Sequence, residues 1–242
     1  MTRPPPHAVR RRLAMAVLIG VVGYVVVDIV LQALPPHYSP IREAESKLAV
    51  GPFGWIMNLN FLGRAVFTFC AIGAIGLTGP ASPARRAGLL LLAIGGVSLG
   101  ILAFFPTDVG PTGVSATGVS ASAENGLQPV TTAGFVHLAV ASLGFLAALA
   151  GECVLTRWLR HSPELAAVRV SALVFAGLAG GGLLGIVVTS ALAPDWLGLA
   201  ERLCLLGILG WVFVVSLAIR RVGEPGRPEP CGWPDEAVRN SR

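Results

Sequence analysis

The chain has 242 residues, of which 54% are hydrophobic and only 13% are charged, and its mean hydropathy is +0.72. A soluble domain carries about 25% charged residues, so this composition excludes a soluble globular protein and indicates an integral membrane protein. The formal net charge of +5 does not indicate a nucleic-acid partner, because the basic residues follow the pattern of membrane topology.

Six apolar runs approach or exceed the ~20 residues that cross a bilayer as an α-helix. They predict an all-α, polytopic bundle of six transmembrane helices over 13–220, between a basic N-terminal segment at 1–12 and a disordered tail at 221–242. The first run is too long for the core of a signal peptide, so we expect an uncleaved span. The predicted helices lie at about 13–34, 55–78, 86–105, 132–155, 170–192 and 199–219.

The basic residues also predict the orientation of the bundle. Fourteen of the eighteen Lys and Arg residues fall in segments that face the cytoplasm if the N-terminus does. The positive-inside rule therefore places both termini in the cytoplasm. Prolines 35, 106 and 194 stand where the outward-running helices should stop, since proline cannot continue a helix. The loop at 106–130 contains TGVSA twice, at 112–121, and we expect it to be flexible.

Polar side chains inside the spans gather in the predicted outer half of the membrane. The predicted inner half has only Glu152, near a helix end. Because intramembrane polar residues are costly and mark functional or interhelical sites, the outer group is the candidate binding site. Its members are Asp28, Asn58, Asn60, Arg64, Asp108, His137, Glu201 and Arg202.

Arg64 needs a partner if it lies within the hydrocarbon. Asp28 is roughly 9 Å below the outer interface and Arg64 roughly 13 Å, at the rise of an α-helix. Since buried ions pair, we predict an ion pair between Asp28 and Arg64. The alternative is that Arg64 snorkels to the interface, with helix 2 starting nearer Phe61. Asn60 lies four residues from Arg64 and shares its face.

His137 allows three interpretations: a hydrogen-bonded residue of the bundle, an acid/base or substrate contact, or a metal ligand. A three-histidine zinc site is out of reach, because His7 and His161 lie on the predicted cytoplasmic side. The four cysteines (70, 153, 204 and 231) show no ligand spacing and are expected to be small apolar fillers. The sequence contains no cofactor motif.

Glycines occur at helical spacing inside the spans. Gly177, Gly181 and Gly185 recur every four residues in helix 5, and Gly96 and Gly100 do so in helix 3. Small residues at this spacing let helix backbones approach closely. They predict packing inside the bundle or, alternatively, a homo-oligomer formed through Gly177, Gly181 and Gly185.

Residues from 13 to 220 resemble the membrane family named domain of unknown function 998. The resemblance rests on the stretch 46–58 (SKLAVGPFGWIMN), on Phe105-Pro106-Thr107-Asp108, on His137 at the fourth span and on Glu201-Arg202 at the sixth. It implies a six-span bacterial protein of the inner (cell) membrane and implies no reaction. Lys47 stands where the family often has an acidic residue, and the TGVSA repeat lengthens the loop before His137.

Three functions fit these features. The first is a structural or accessory bundle locked by its polar residues. The second is a protein that binds or transports a membrane lipid or small anion at the outer leaflet, with Arg64 and Arg202 on the acidic group. The third is an enzyme acting on a lipid, with His137 as acid/base and Asp108 or Glu201 orienting it. An open cavity lined by Arg64, His137 and Asp108 would favour the last two.

Overall fold

The computed structural model describes residues 6–35, 38–108, 129 and 131–222, and these ranges contain helices and no β-strand. All six long helices have the length and apolar composition to cross a membrane, so the chain is a multi-pass membrane protein, as predicted. Short 3-10 helices lie at Glu45–Ala49, Ala166–Val168 and Pro194–Trp196. The long helices are α1 (Pro6–Ala33), α2 (Gly54–Gly76), α3 (Pro83–Leu102), α4 (Thr132–Leu159), α5 (Arg169–Leu192) and α6 (Leu197–Arg221).

The helix bounds differ from the predicted ones mainly at the charged ends. α1 begins at Pro6 and not near residue 13, because the arginines at 10–12 are good helix formers and continue it. α3 begins at Pro83, with Ser82 capping it by accepting a hydrogen bond from Arg85 N at 3.1 Å. α1, α3 and α5 each end shortly before their proline, as predicted. The TGVSA repeat and the tail from 223 onward lie outside the described residues.

The six helices form a closed ring. Each helix packs on the next along the chain, and α6 packs back on α1. Arg10 Nη2 donates to Val222 O at 2.8 Å, which joins the start of α1 to the end of α6. Both ends of the bundle's chain therefore lie on the same side, called here the termini end. Which side of a membrane this is stays a prediction.

Glycines bring α5 and α6 into the closest backbone contact of the described ring. A Cβ at Gly182 would overlap the backbone of Cys204, and one at Gly207 would overlap the backbone of Ala179. Gly177 and Gly181, by contrast, have no atom of the described chain within 4 Å of such a Cβ and are exposed. The prediction that these two glycines pack inside the bundle is therefore wrong. Their use between protomers stays a prediction.

Residues 38–53 fold over the opposite end of the ring, and we call them the cap. Leu199 N donates to Ile41 O at 3.0 Å, so the start of α6 holds the cap by backbone hydrogen bonding. A Cβ at Gly198 would overlap Glu43 O, so only glycine allows this approach. The cap end of the ring also carries 103–108 and 194–196, and the candidate site lies just beneath it.

Candidate functional site

Arg64 lies inside the bundle, on α2 and about 15 Å along that helix from Gly54. Its side chain is 6% exposed. Because α2 begins at Gly54 and not near Phe61, and because the side chain points inward, snorkelling is excluded. No carboxylate among the described residues comes within ion-pairing distance, about 4 Å, of its guanidinium.

The partner of Arg64 is Tyr24 on α1. The guanidinium carbon lies 5.3 Å from the centre of the tyrosine ring, a cation–π contact. Nη1 also points to the Tyr24 hydroxyl at 3.5 Å, which is long for a hydrogen bond. Nε and Nη2 have no acceptor among the described residues and are not sealed from the cavity described below.

The predicted ion pair between Asp28 and Arg64 is wrong. Asp28 accepts a hydrogen bond from Gln32 Nε2 on its own helix, and Arg64 meets α1 one turn deeper, at Tyr24. The carboxylate of Asp28 is thus held by Gln32, about one helical turn (~5.4 Å) from the level at which Arg64 contacts α1.

Glu45 completes the contact between α1 and the cap. The Tyr24 hydroxyl lies 2.9 and 2.8 Å from the two carboxyl oxygens of Glu45, a buried residue of the cap. Burial, followed by the negative charges of Glu201 and Asp28, raises the pKa of Glu45 to about 8, and Arg64 opposes the shift. The raised pKa favours the neutral form of Glu45, and its carboxyl group does not form an ion pair with Arg64.

Glu201 and Arg202, at the start of α6, hold the cap from different sides. Glu201 Oε2 accepts from the backbone N–H of Glu45 at 2.7 Å. Arg202 donates to Pro40 O at 2.9 Å, to Glu43 O at 3.2 Å and to the Tyr38 hydroxyl at 2.8 Å. Glu201 faces the cavity, whereas Arg202 lies outside its walls and serves as a fastener of the cap.

The two predicted asparagines differ in their surroundings. Asn60 Nδ2 donates to Tyr24 O at 3.1 Å, so it helps to place the tyrosine beside Arg64. Asn58 has a buried side-chain oxygen with no hydrogen-bond donor among the described residues. Neither residue lines the cavity.

Asp108, in the segment that follows α3, lies beside the start of α4, the helix that carries His137. Asp108 accepts hydrogen bonds from the backbone N–H and the hydroxyl of Thr131, the residue that caps α4. His137 is 5% exposed, and its Nδ1 lies 2.7 Å from Phe105 O. Because a carbonyl only accepts, Nδ1 carries a proton and Nε2 is the nitrogen left for the cavity. A backbone carbonyl, and not Asp108, orients the ring.

A cavity of about 480 Å³ lies under the cap, inside the ring of helices. It brings together Arg64, Asp108, His137 and Glu201 from the predicted group. Its polar end is at the cap, and the rest of its surface is mostly apolar, with Thr68 and Ser142 among the lining residues. The charged and ionisable residues of the lining are Arg42, Glu45, Lys47, Arg64, Asp108, His137 and Glu201. Apolar residues of the lining include Phe61, Phe67, Leu92, Leu102, Leu138, Phe145, Leu183 and Ile186.

Two ion pairs stand among the charged residues at the cap end. Lys47 Nζ lies 3.5 Å from Glu43 Oε1, and Arg42 Nε lies 3.8 Å from Asp195 Oδ1. Arg64, deeper in the cavity, differs from these two cations in having no such carboxylate among the described residues. No three His, Cys, Asp or Glu side chains within the described ranges lie close enough together to hold a metal ion.

The model of the family described as "Protein of unknown function (DUF998)" matches residues 18–218. The chain belongs to this family. The match covers all of the ring except the first turns of α1 and the last residues of α6, so the resemblance seen in the sequence is confirmed. No curated protein and no solved structure matches the chain.

Three buried residues of this DUF998 chain were not among the predicted site residues. Tyr24 and Glu45 were missed, although Tyr24 is one of only two tyrosines and interrupts an aliphatic run. The sequence predicts Glu152 close to a helix end, but α4 continues to Leu159, so Glu152 lies about 10 Å from the end of that helix. Its side chain is 0% exposed, and neither carboxyl oxygen has a hydrogen-bond partner among the described residues.

Proposed function

We propose that this protein binds an acidic amphiphile in the cavity under the cap, with Arg64 as the site for the acidic group. The observation that carries the proposal is a buried guanidinium that borders an open cavity and has no carboxylate within ion-pairing distance, about 4 Å, among the described residues. Arginine suits this role because its planar fork of donors matches a carboxylate or phosphate.

Energetics support a further partner for Arg64. Removing an ion from water costs several kcal/mol even after the protein relaxes. A cation–π contact with Tyr24 returns about 0.5–2 kcal/mol, and the hydrogen bond to its hydroxyl is long. These contacts leave most of the cost unmatched, so water or an anion in the cavity must supply the rest. An anion supplies it more strongly than water does, since it also neutralises the charge.

The size and lining of the cavity select the rest of the ligand. Its volume of about 480 Å³ lies within the roughly 300–1,000 Å³ of small-molecule sites. Phe61, Phe67 and Leu92 continue the wall away from Arg64 and offer no charge to a second polar group. An acidic head joined to an apolar body therefore fits better than a free inorganic anion.

The open cavity favours binding over the purely structural bundle that the sequence put first. A sealed pair between Asp28 and Arg64 would have supported that structural role, and Arg64 instead lines the cavity. The enzyme alternative gains less, because Asp108 bonds Thr131 and does not orient His137. With the cap end outside, as the basic residues predict, the ligand would come from the outer leaflet.

Thermal unfolding of the purified protein in detergent tests the proposal. Short-chain phosphatidic acid at about 100 times its Kd should stabilise the folded protein by about 2.7 kcal/mol, seen as a rise in Tm. Arg64→Gln should lose this rise relative to its own baseline. Arg86→Gln is the matched control, because it removes one exposed positive charge at the termini end.

The two variants separate the possible results. A rise in Tm that is retained in Arg86→Gln and lost in Arg64→Gln supports the anion site. An equal rise in both variants would show that the amphiphile acts on the detergent micelle or elsewhere on the protein, and would overturn the proposal. Inorganic phosphate in a parallel titration tests whether the acidic group alone suffices.

A further inference from the structure

The apolar part of the cavity reaches the lipid-facing surface of the bundle. Leu146 on α4 and Val187 on α5 both line the cavity, yet they are 58% and 61% exposed. Residues at the rim of an opening in a cavity wall have both properties. Leu146 and Val187 thus mark the gap between α4 and α5 as the candidate side opening of the cavity, within spans long and apolar enough to lie in hydrocarbon.

The packing around the ring explains why the opening lies at this seam. α5 and α6 meet backbone to backbone at Gly182, and α3 and α4 do so at Gly88, where a Cβ would lie 3.3 Å from Gly151 O. Between α4 and α5, the nearest approach to a glycine is by side chain alone, Leu149 Cδ2 at 3.9 Å from a Cβ built at Gly180. This seam lacks the close glycine contacts of its neighbours.

Phe145, Leu183 and Ile186 form an apolar arm that leads inward from this opening. An acyl chain on this path stays in contact with apolar groups throughout, first in the hydrocarbon of the bilayer and then in the arm.

We infer that the ligand of the cavity is a membrane lipid with an acidic head group, which enters sideways from the bilayer through the gap between α4 and α5. Its head group reaches Arg64, and one acyl chain lies along the arm and leaves the protein between Leu146 and Val187. This inference rests on the proposed anion site and adds the class of ligand and its route.

Photocrosslinking in vesicles tests where lipid lies. A diazirine amino acid at Leu183, which lines the arm, is compared with one at Leu184, which is 65% exposed and is not in the cavity wall. The vesicles contain phosphatidylcholine and phosphatidylglycerol in equal parts. Crosslinks at 183 should be several-fold enriched in phosphatidylglycerol over those at 184, and Arg64→Gln should remove the enrichment.

A second variant pair tests the route. Leu146→Trp places a bulky side chain in the opening, and Leu143→Trp places the same side chain on an exposed part of α4 outside the cavity wall. Loading of brominated phosphatidylglycerol from vesicles, followed by crosslink yield at 183 over time, should slow several-fold in Leu146→Trp alone. Equal rates in the two variants would overturn entry through this seam.

The outcomes also separate this inference from the proposed function. Suppose that short-chain phosphatidic acid stabilises the protein through Arg64, while crosslinks at 183 and 184 have the same lipid composition. The anion site then stands and the bilayer lipid is wrong. If neither the Tm rise nor the crosslink composition depends on Arg64, both proposals fail.

Discussion

Arg64 places its guanidinium carbon 5.3 Å from the centre of the Tyr24 ring, and the Tyr24 hydroxyl in turn contacts both carboxyl oxygens of Glu45. One tyrosine thus joins α1, α2 and the cap at the polar end of the cavity. The chain's other tyrosine repeats the arrangement at the surface, where Arg202 lies 5.2 Å from the ring of Tyr38. An arginine–tyrosine contact therefore holds the cap at two places, Arg64 with Tyr24 and Arg202 with Tyr38.

Tyr24→Phe should lower the free energy of unfolding by about 1–3 kcal/mol, the cost of leaving a buried polar partner without its hydrogen bond. The ring over Arg64 is kept, so the loss reports the hydroxyl and Glu45. Unfolding in a graded series of SDS concentrations measures it. Tyr38→Phe, at a half-buried position, should cost less, and an equal or larger loss there would contradict this account.

Glu45 makes stability depend on pH. Its pKa rises from 4.5 to about 8 on folding, so its stabilising contribution is complete below about 4.5 and is lost as pH rises through 8. We expect the Tm of the wild type to fall over this window more steeply than that of Glu45→Gln, which cannot ionise. Tyr24, Asp28, Arg64 and Glu201 surround it in both proteins. Parallel pH profiles would contradict the assignment.

Replacing glycine by alanine should have opposite effects on stability at two positions of α5. Gly182→Ala should cost several kcal/mol or prevent folding, because the new Cβ would overlap the backbone of Cys204. Gly177→Ala has open space and should stabilise slightly, since alanine favours helix. Thermal unfolding measures both. If Gly177→Ala instead dissociates an oligomer in size-exclusion chromatography, the predicted contact between protomers gains support.

Glu152 and Thr156 are one turn apart on α4 and give a second opposed pair. Glu152→Met should raise the Tm, because it removes two buried carboxyl oxygens that have no hydrogen-bond partner among the described residues. Thr156→Val should lower it by about 1–3 kcal/mol, because Trp211 Nε1 donates to Thr156 Oγ1 at 2.7 Å and would be orphaned. A Tm that falls in Glu152→Met would indicate that Glu152 has a partner in solution.

The helices and their number followed from composition, since no other arrangement satisfies six apolar runs of this length. The site followed only in part. The structure buries Arg64 but places a tyrosine beside it and not the expected acid, and the expected depths of Asp28 and Arg64 already differ by most of a helical turn. Tyr24 lies at the depth expected for Arg64. A hydropathy profile does not reveal its hydroxyl, because the surrounding residues are aliphatic.

Glu45 could not be found from the sequence by the same reasoning. It lies in a connection between spans, where charged residues normally meet water, and only the fold of the cap buries it against Tyr24. Similarly, the spacing of Gly177 and Gly181 does not predict which side of α5 faces α6. The helix turns Gly182 and not its neighbours toward α6, and rotation about the axis of a uniformly apolar helix leaves no periodic signal.

The contact of α1 with α6, tied by Arg10 and Val222, has a consequence for how the protein is made. Helices leave the ribosome in order, so α1 and α2 can already place Arg64 on Tyr24 as an early hairpin. The cavity, however, has no far wall until α4 arrives, and the cap has no fastener until Glu201 and Arg202 of α6 are synthesised. Assembly of the site is thus the last event in synthesis of the ring, and a chain stopped before α6 would lack the residues that hold the cap.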